Sequence, residues 1–147
     1  MPRLKTMSGK KTLILVEPEQ PENTGFAARL SANFDYDLEL VKPVFNLSQC
    51  RKTARRAQER LRGAKIHPSL EKALENKQNI IGTKPGRGEP LQDVDNLDEV
   101  TIVVGRESSG LKNSELSLCD RNVHIETSEY SSLNQSHAAA ILMYHFH

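Results

Sequence analysis

The chain has 147 residues, a formal net charge of +1, 37% hydrophobic residues and no tryptophan. No aliphatic run approaches the roughly 18–20 residues of a membrane-spanning helix, and two cysteines, Cys50 and Cys119, are too few for a disulfide scaffold or a structural zinc site. We therefore expect a soluble, cytoplasmic, single-core protein with no membrane and no metal partner.

Hydrophobic runs predict strands that alternate with helices along the chain. The predicted strands cover residues 12–16, 38–41, 64–67, 79–82, 101–104 and 122–125, and the predicted helices begin at Asn23 and cover 48–61, 69–76, 113–119 and 131–146. This alternation predicts an α/β fold, a mainly parallel sheet with helices on both faces. We expect residues 1–11 to form a basic, flexible lead-in and residues 12–147 to form one domain.

The small net charge conceals two segments of opposite sign. Residues 42–65 contain eight basic residues and one acid, whereas residues 89–99 contain five acids and no lysine or arginine. A basic cluster of this kind favours a phosphate backbone as its partner, with an affinity that falls as salt rises. The alternative is a solvated helix face, or one that faces the acidic segment.

Four polar loops follow predicted strands, at residues 17–25, 82–88, 105–110 and 126–134. Because ligands bind beyond the carboxyl ends of the strands in open α/β sheets, these loops predict a site at that edge. The loops contain no G-x-G-x-x-G, no P-loop and no G-x-S-x-G pattern, which argues against dinucleotide binding, P-loop phosphate binding and a hydrolase elbow.

Three of these segments carry motifs in a fixed order. Asn23 to Arg29 is similar to the pattern N-x-G-x-x-x-R, residues 104–111 are similar to F-G-x-E-x-x-G-L, and Ser132-Leu133-Asn134 matches an S-L-N core. Together they resemble the three motifs of the SpoU-type RNA ribose methyltransferases, in the knotted SPOUT superfamily. Residues 129–134, with Gly82-Thr83, resemble its TrmJ-like branch, whose members modify a ribose at the start of the tRNA anticodon loop.

The resemblance implies a C-terminal trefoil knot, a homodimer that completes the site, and S-adenosyl-L-methionine as the cofactor. The implied cofactor contacts are Thr83, Lys84, Gly105, Glu107, Ile125, Ser132 and Leu133. The implied catalytic residues are Arg29, Ser132, Asn134, Asn23 and Glu107, with Glu107 anchoring either Arg29 or the neighbouring loop. The expected RNA-binding residues are Arg51, Arg55, Arg56, Arg87 and Tyr130.

A ribose 2′-hydroxyl is a poor nucleophile, so its methylation needs proton removal or charge stabilisation. An arginine stays protonated near neutral pH, so Arg29 is expected to activate the hydroxyl electrostatically, with phosphate or Ser132 helping to receive the proton. We therefore predict methylation of a ribose 2′-hydroxyl in tRNA. The alternatives are a ribosomal RNA 2′-O-methyltransferase, a catalytically silent knotted RNA-binding module, and an unrelated Rossmann-like enzyme.

Overall fold

In the computed structural model, which describes residues 10–147, seven strands form one sheet. The strands are β1 (Lys11–Val16), β2 (Asp37–Val41), β3 (Lys65–His67), β4 (Ile80–Thr83), β5 (Glu89–Pro90), β6 (Val100–Val104) and β7 (Arg121–His124). They lie in the order β3-β2-β1-β6-β4-β7-β5, and each strand pairing is parallel. The predicted parallel α/β sheet is confirmed.

Helices cover both faces of this sheet, as predicted. They are α1 (Pro21–Phe34), α2 (Arg51–Ala54), α3 (Gln58–Arg62), α4 (Leu70–Leu74), α5 (Asn113–Leu116) and α6 (Gln135–His145), and short 3₁₀ turns cover Leu47–Cys50, Arg55–Ala57 and Leu91–Asp93. In the part of the chain that the structure describes, no helix is both long enough and apolar enough to span a membrane.

Two hydrophobic clusters form because alternate residues of a strand point to opposite faces. On one face, Leu13 and Leu15 of β1 join Ala27 of α1 and Leu142 of α6. On the other face, Ile14 and Val16 of β1 join Leu70 of α4 and Leu116 of α5. The central strands are therefore buried on both sides, which explains why β1 and β6 are apolar without alternation.

The predicted helix over residues 48–61 is wrong. The segment is divided into a 3₁₀ turn, α2, a second 3₁₀ turn and α3, and the break lies at Arg55, whose φ of 56° and ψ of −124° fall outside the right-handed helical region. Only the end of the predicted helix is confirmed, because α3 stops at Arg62 and Gly63 caps it.

The last helix begins four residues later than predicted. Asn134 has an extended ψ of 140°, and its side chain accepts a hydrogen bond from the backbone N–H of Ser136, so it caps α6. Residues 131–134 are consequently a loop.

At the other end, β1 begins at Lys11, one residue inside the predicted lead-in, and residues 1–9 lie outside the described residues. The knot that the resemblance implies stays a prediction.

Candidate functional site

A cavity of about 350 Å³ lies beyond the carboxyl ends of β4, β6 and β7. All seven residues predicted to contact a cofactor line it: Thr83, Lys84, Gly105, Glu107, Ile125, Ser132 and Leu133. Parallel strands explain this convergence, since their carboxyl ends meet at one edge of the sheet and the polar loops extend from there.

The cavity wall combines apolar side chains with polar loops. Val104, Ala138 and Leu142 supply apolar surface, and the segments 105–110 and 131–133 supply backbone and hydroxyl groups. Ser132 is exposed, and Leu133 is 38% exposed, so both lie at the rim. A concave, partly apolar cavity of this size with a few polar groups is typical of a small-molecule site.

The loop after β6 is fixed by close backbone packing. A Cβ atom on Gly105 would lie 2.4 Å from the carbonyl carbon of Gly110 and from the backbone nitrogen of Leu111, so no other residue fits there without a shift. The ammonium of Lys84 donates to the carbonyl oxygens of Ser109 (3.0 Å) and Leu111 (2.6 Å). Lys84 therefore lines the cavity while holding its wall in place.

Glu107 ties the loop after β6 to the loop after β1. Its carboxylate accepts hydrogen bonds from the backbone N–H groups of Glu19 (2.8 Å) and Gln20 (3.1 Å) and from Nδ2 of Asn23 (3.3 Å). Glu19 accepts in return from the backbone N–H and the hydroxyl of Ser108, and these bonds lower the pKa of Glu19. Of the two anchoring roles predicted for Glu107, the neighbouring loop is the one that its contacts support.

The motifs do not single out Arg106, because it occupies the variable position of the second motif. Its guanidinium is buried and forms two contacts with Glu115 (both 2.9 Å) and two with Glu17 (3.0 and 3.4 Å). The same group donates to the carbonyl oxygen of Gly110 at 3.1 Å. Hydrogen bonds from Arg106 lower the pKa of Glu17 and of Glu115, although partial burial of each carboxyl opposes the shift.

Arg29 lies away from the cavity. It is exposed and lines a second hollow, of about 600 Å³, together with Asn33, Arg55 and Arg56. We call this the arginine hollow. Within residues 10–147, its three arginines form no ion pair or side-chain hydrogen bond. The structure thus brings together Arg29 and two of the predicted RNA-binding arginines, but on a surface separate from the cavity of the same chain.

The acidic segment does not neutralise this hollow. Glu89 pairs with Arg121 (2.8 Å), and Arg60 of the basic segment pairs with Asp35 (3.3 Å). Among the described residues, Arg55 and Arg56 therefore do not pair with the acidic segment 89–99.

The other predicted residues hold loops or lie on the surface. Asn134 accepts from the backbone N–H (2.8 Å) and hydroxyl (2.6 Å) of Ser136, and Asn23 is 4% exposed and bonds to Glu107. Asn134, and not Ser131 at the predicted start, caps the last helix. Arg51 and Tyr130 are exposed, and Arg87 donates to Oδ1 of Asn113 at 2.9 Å.

Neither cysteine is prepared to act as a nucleophile. Burial raises the pKa of Cys50 and of Cys119 to about 11, so both thiols stay protonated at neutral pH. Among residues 10–147 no three histidine, cysteine or carboxylate side chains are grouped so as to hold a metal ion.

Comparison with known proteins identifies one family. Residues 10–144 match the SpoU rRNA Methylase family. The tRNA (cytidine-2'-O-)-methyltransferase TrmJ of Methanocaldococcus jannaschii is 34% identical over 151 residues, which cover 90% of this chain and 65% of that protein. The tRNA (cytidine/uridine/adenosine-2'-O-)-methyltransferase TrmJ of Pseudomonas aeruginosa is 34% identical over 149 residues, which cover 90% of this chain and 58% of that protein. The chain thus spans about six tenths of the length of these relatives.

The fold is shared with a solved structure that contains a cofactor. The SpoU methyltransferase AviRb from Streptomyces viridochromogenes, in complex with AdoMet, superposes with a TM-score of 0.81 at 21% identity, over 95% of this chain and 57% of that chain. At this identity the likeness shows the fold alone.

Proposed function

The chain belongs to the SpoU methylase family, and on that premise we propose that it transfers a methyl group from S-adenosyl-L-methionine to a ribose 2′-hydroxyl of tRNA. One observation carries the proposal: the loops that bear the second and third motifs, with Thr83 and Lys84, enclose a single cavity at the carboxyl edge of the sheet. The tRNA substrate rests on the names of the two relatives, which are longer than this chain.

The cavity fits this cofactor in size and in chemistry. Its 350 Å³ lies within the range of small-molecule sites, its apolar wall of Val104 and Leu142 suits a flat purine, and its backbone groups suit the polar ends. Lys84, Gly105 and Ser132 are among the residues that would hold the molecule. When bound, the cofactor supplies an electrophilic methyl group on a sulfonium.

Different residues of this chain are proposed to hold the loops, to activate the hydroxyl and to receive its proton. Glu107 and Arg106 hold the cavity loops, while Arg29 presents a permanently charged, planar guanidinium to a phosphate and to the 2′-oxygen. An arginine does not act as a literal base near neutral pH, so its contribution is to stabilise charge as the hydroxyl loses its proton. Ser132, exposed at the cavity rim, is proposed to help phosphate receive that proton.

We further propose that a homodimer completes the site. Arg29 lines the arginine hollow and not the cavity of its own chain, so a second copy is needed to bring an arginine and a cofactor to one ribose. Helices α1 and α6 pack together and leave large apolar side chains exposed, Phe26 and Ile141 at 41% each and Tyr144 at 71%. Exposed apolar surface of this kind favours association. Sedimentation of the wild type and of Ile141→Glu tests this proposal. We expect the wild type to sediment as a dimer and the variant to shift toward the monomer. A monomeric wild type would contradict the proposal.

RNA is the proposed partner of the arginine hollow. Three guanidinium groups without a neutralising acid repel one another, and phosphate oxygens relieve that repulsion. Arg51, the first residue of α2, and Arg87 and Tyr130, in loops that contribute to the cavity wall, are all exposed and are proposed as further RNA contacts.

The deciding experiment is methyl transfer to defined RNA. Unmodified tRNA transcripts and ribosomal RNA fragments are incubated with the protein and methyl-labelled cofactor, and the product nucleotide is mapped by mass spectrometry. We expect label on one tRNA ribose and none on a matched transcript with a 2′-deoxynucleotide at that position. Label on ribosomal RNA alone would change the substrate, and absence of transfer to every RNA would leave the silent binding module as the better account.

A further inference from the structure

Gln135, the first residue of α6, carries a buried oxygen that has no partner. The residue is 6% exposed, and its Nε2 donates to the carbonyl oxygen of Gly105 at 2.8 Å. Its Oε1 is buried and accepts no hydrogen bond from the described residues. Since the Gly105 carbonyl can only accept, this bond fixes which end of the amide is the nitrogen.

An unpartnered buried acceptor points to a missing donor. Buried polar atoms are nearly always hydrogen-bonded, and leaving one without a partner is costly. Gln135 and Gly105 both line the 350 Å³ cavity. An occupant of this cavity that carries an N–H group and approaches Oε1 would provide the partner that the protein does not.

The surroundings of Gln135 select among the donors of the cofactor. Ala138 and Leu142 lie three and seven residues further along α6, so they share its helix face, and both line the cavity. A neutral aromatic amine is compatible with this apolar wall, whereas a desolvated ammonium is not. The donor is thus expected to be the purine amine and not the amino-acid end.

We propose that Oε1 of Gln135 accepts a hydrogen bond from the exocyclic amino group of the adenine ring, and so makes this site select adenine. The proposal rests on the proposed function, because it assumes S-adenosylmethionine as the occupant. It adds a specificity-determining residue outside the seven cofactor contacts predicted from the motifs.

Calorimetric titration with two ligands tests this assignment without any turnover. The ligands are S-adenosylhomocysteine and S-inosylhomocysteine, in which a carbonyl replaces the amino group. We expect wild type to prefer the adenine ligand by at least tenfold, and Gln135→Met to lose about tenfold in affinity for that ligand while binding the inosine ligand nearly as before. Gln58→Met, a half-buried glutamine of α3 outside the cavity, is the matched control and should bind as wild type.

A second variant separates recognition from support of the loop. Gln135→Glu keeps an acceptor oxygen but loses the donor to Gly105, so the preference for adenine should survive even where overall binding weakens. A third ligand, 5′-methylthioadenosine, lacks the amino-acid part, and its affinity should fall with Gln135→Met to the same extent. Melting temperatures of the ligand-free variants establish that each one folds.

The outcomes separate the inference from the function. Equal loss of both ligands in Gln135→Met assigns the residue a supporting role only, and an effect that vanishes with 5′-methylthioadenosine assigns the bond to the ammonium; either result overturns the inference while the proposed function stands. Failure of wild type to bind S-adenosylhomocysteine would overturn the proposed function, and the inference with it.

Discussion

The cavity and the arginine hollow differ in whether their charged side chains are paired. Around the cavity, charged groups such as Arg106 and Glu107 are paired or hydrogen-bonded to backbone. In the arginine hollow, Arg29, Arg55 and Arg56 form no such contact within the described residues. In the first region the named charges are balanced within one chain, whereas the second has an excess of positive charge that a ligand must balance.

The proposed cofactor site is therefore preorganised, whereas the proposed RNA surface depends on its ligand for charge balance. Loops that are already ordered lose little entropy on binding a small cofactor. An unpaired basic surface gains most of its interaction from a polyanion and is therefore sensitive to salt. We expect substitutions in the cavity loops to change stability, and substitutions in the arginine hollow to change transfer and RNA binding.

The largest expected effect is at Arg29. Arg29→Ala should lower the rate of methyl transfer by roughly 100- to 1,000-fold, because it removes the group proposed to stabilise the developing charge. Affinity for S-adenosylhomocysteine should remain unchanged, since Arg29 does not line the cavity. Single-turnover transfer and calorimetry measure the two quantities. Arg29→Lys, which keeps the charge without the planar fork, should fall in between. Equal loss of transfer and cofactor affinity would contradict the division between the two regions.

The next effect concerns the stability of the cavity loops. Arg106→Met leaves the carboxylates of Glu17 and Glu115 without their partner, which should cost about 3 kcal/mol in the free energy of unfolding, measured by urea titration at pH 7. The matched control is Arg121→Met, which breaks the half-exposed pair with Glu89 and should cost less than about 1 kcal/mol. Similar losses of stability in the two variants would contradict the larger contribution expected from the buried ion pairs of Arg106.

The same network predicts a dependence on pH. Arg106 lowers the pKa of Glu17 and Glu115 in the folded state below the ordinary value of 4.5, so the carboxylates stabilise the fold above that pH. As the pH falls through the lowered pKa values, both states become protonated and this contribution disappears. The stability difference between wild type and Arg106→Met should therefore be full at pH 7 and shrink below pH 4.5. A constant difference from pH 7 to pH 3 would argue against the ion pairs as its source.

A smaller effect is expected from neutralising the arginine hollow. The double substitution of Arg55 and Arg56 by glutamine should weaken RNA binding about tenfold at moderate salt and reduce the slope of log K against log salt by roughly 1.5. The free energy of unfolding should change by less than about 0.5 kcal/mol, because these side chains are exposed. Fluorescence anisotropy over a salt series measures the RNA affinity and its salt slope. Arg62→Gln, exposed on α3 but outside the hollow, is the control, and an equal loss there would remove the distinction.

The smallest effect lies in the backbone at Arg55. With a φ of 56°, this residue occupies a conformation that glycine adopts more easily, so Arg55→Gly should raise the free energy of unfolding by up to about 1 kcal/mol while weakening RNA binding. A gain in stability together with a loss of RNA binding would indicate that the arginine side chain contributes to binding at the cost of a strained backbone. A loss of stability would mean that the side chain supports the fold.

Much of the fold was predictable because it depends on local pattern. Apolar runs without alternation gave the central strands at nearly their observed bounds, as in the predicted 12–16 and 101–104 against Lys11–Val16 and Val100–Val104. The helix over residues 48–61 was not predictable, since the break at Arg55 is a backbone conformation and not a composition. The late start of α6 was not predictable either, because Asn134 caps the helix and local pattern does not separate this position from the predicted start at Ser131.

The residues of the candidate site likewise fall into those that local motifs predict and those that depend on distant contacts. The residues that the motifs predicted as cofactor contacts all line one cavity, because loops after parallel strands converge at one edge. The motifs did not reveal Arg106, whose carboxylate partner Glu17 lies 89 residues away along the chain, or Gln135, whose partner is 30 residues away. Contacts at such separations are set only when the sheet has brought the loops together.

By itself, the sequence determined the alternation of strands and helices, the edge of the sheet that carries the polar loops, and the family. Tertiary structure alone decided that Glu107 anchors a loop and not Arg29, that Arg29 joins Arg55 and Arg56 on a separate surface, and that one oxygen of Gln135 is left without a partner. The physical reason is that periodicity and motif spacing encode local conformation, whereas pairing of charges and burial of polar atoms depend on which distant segments meet.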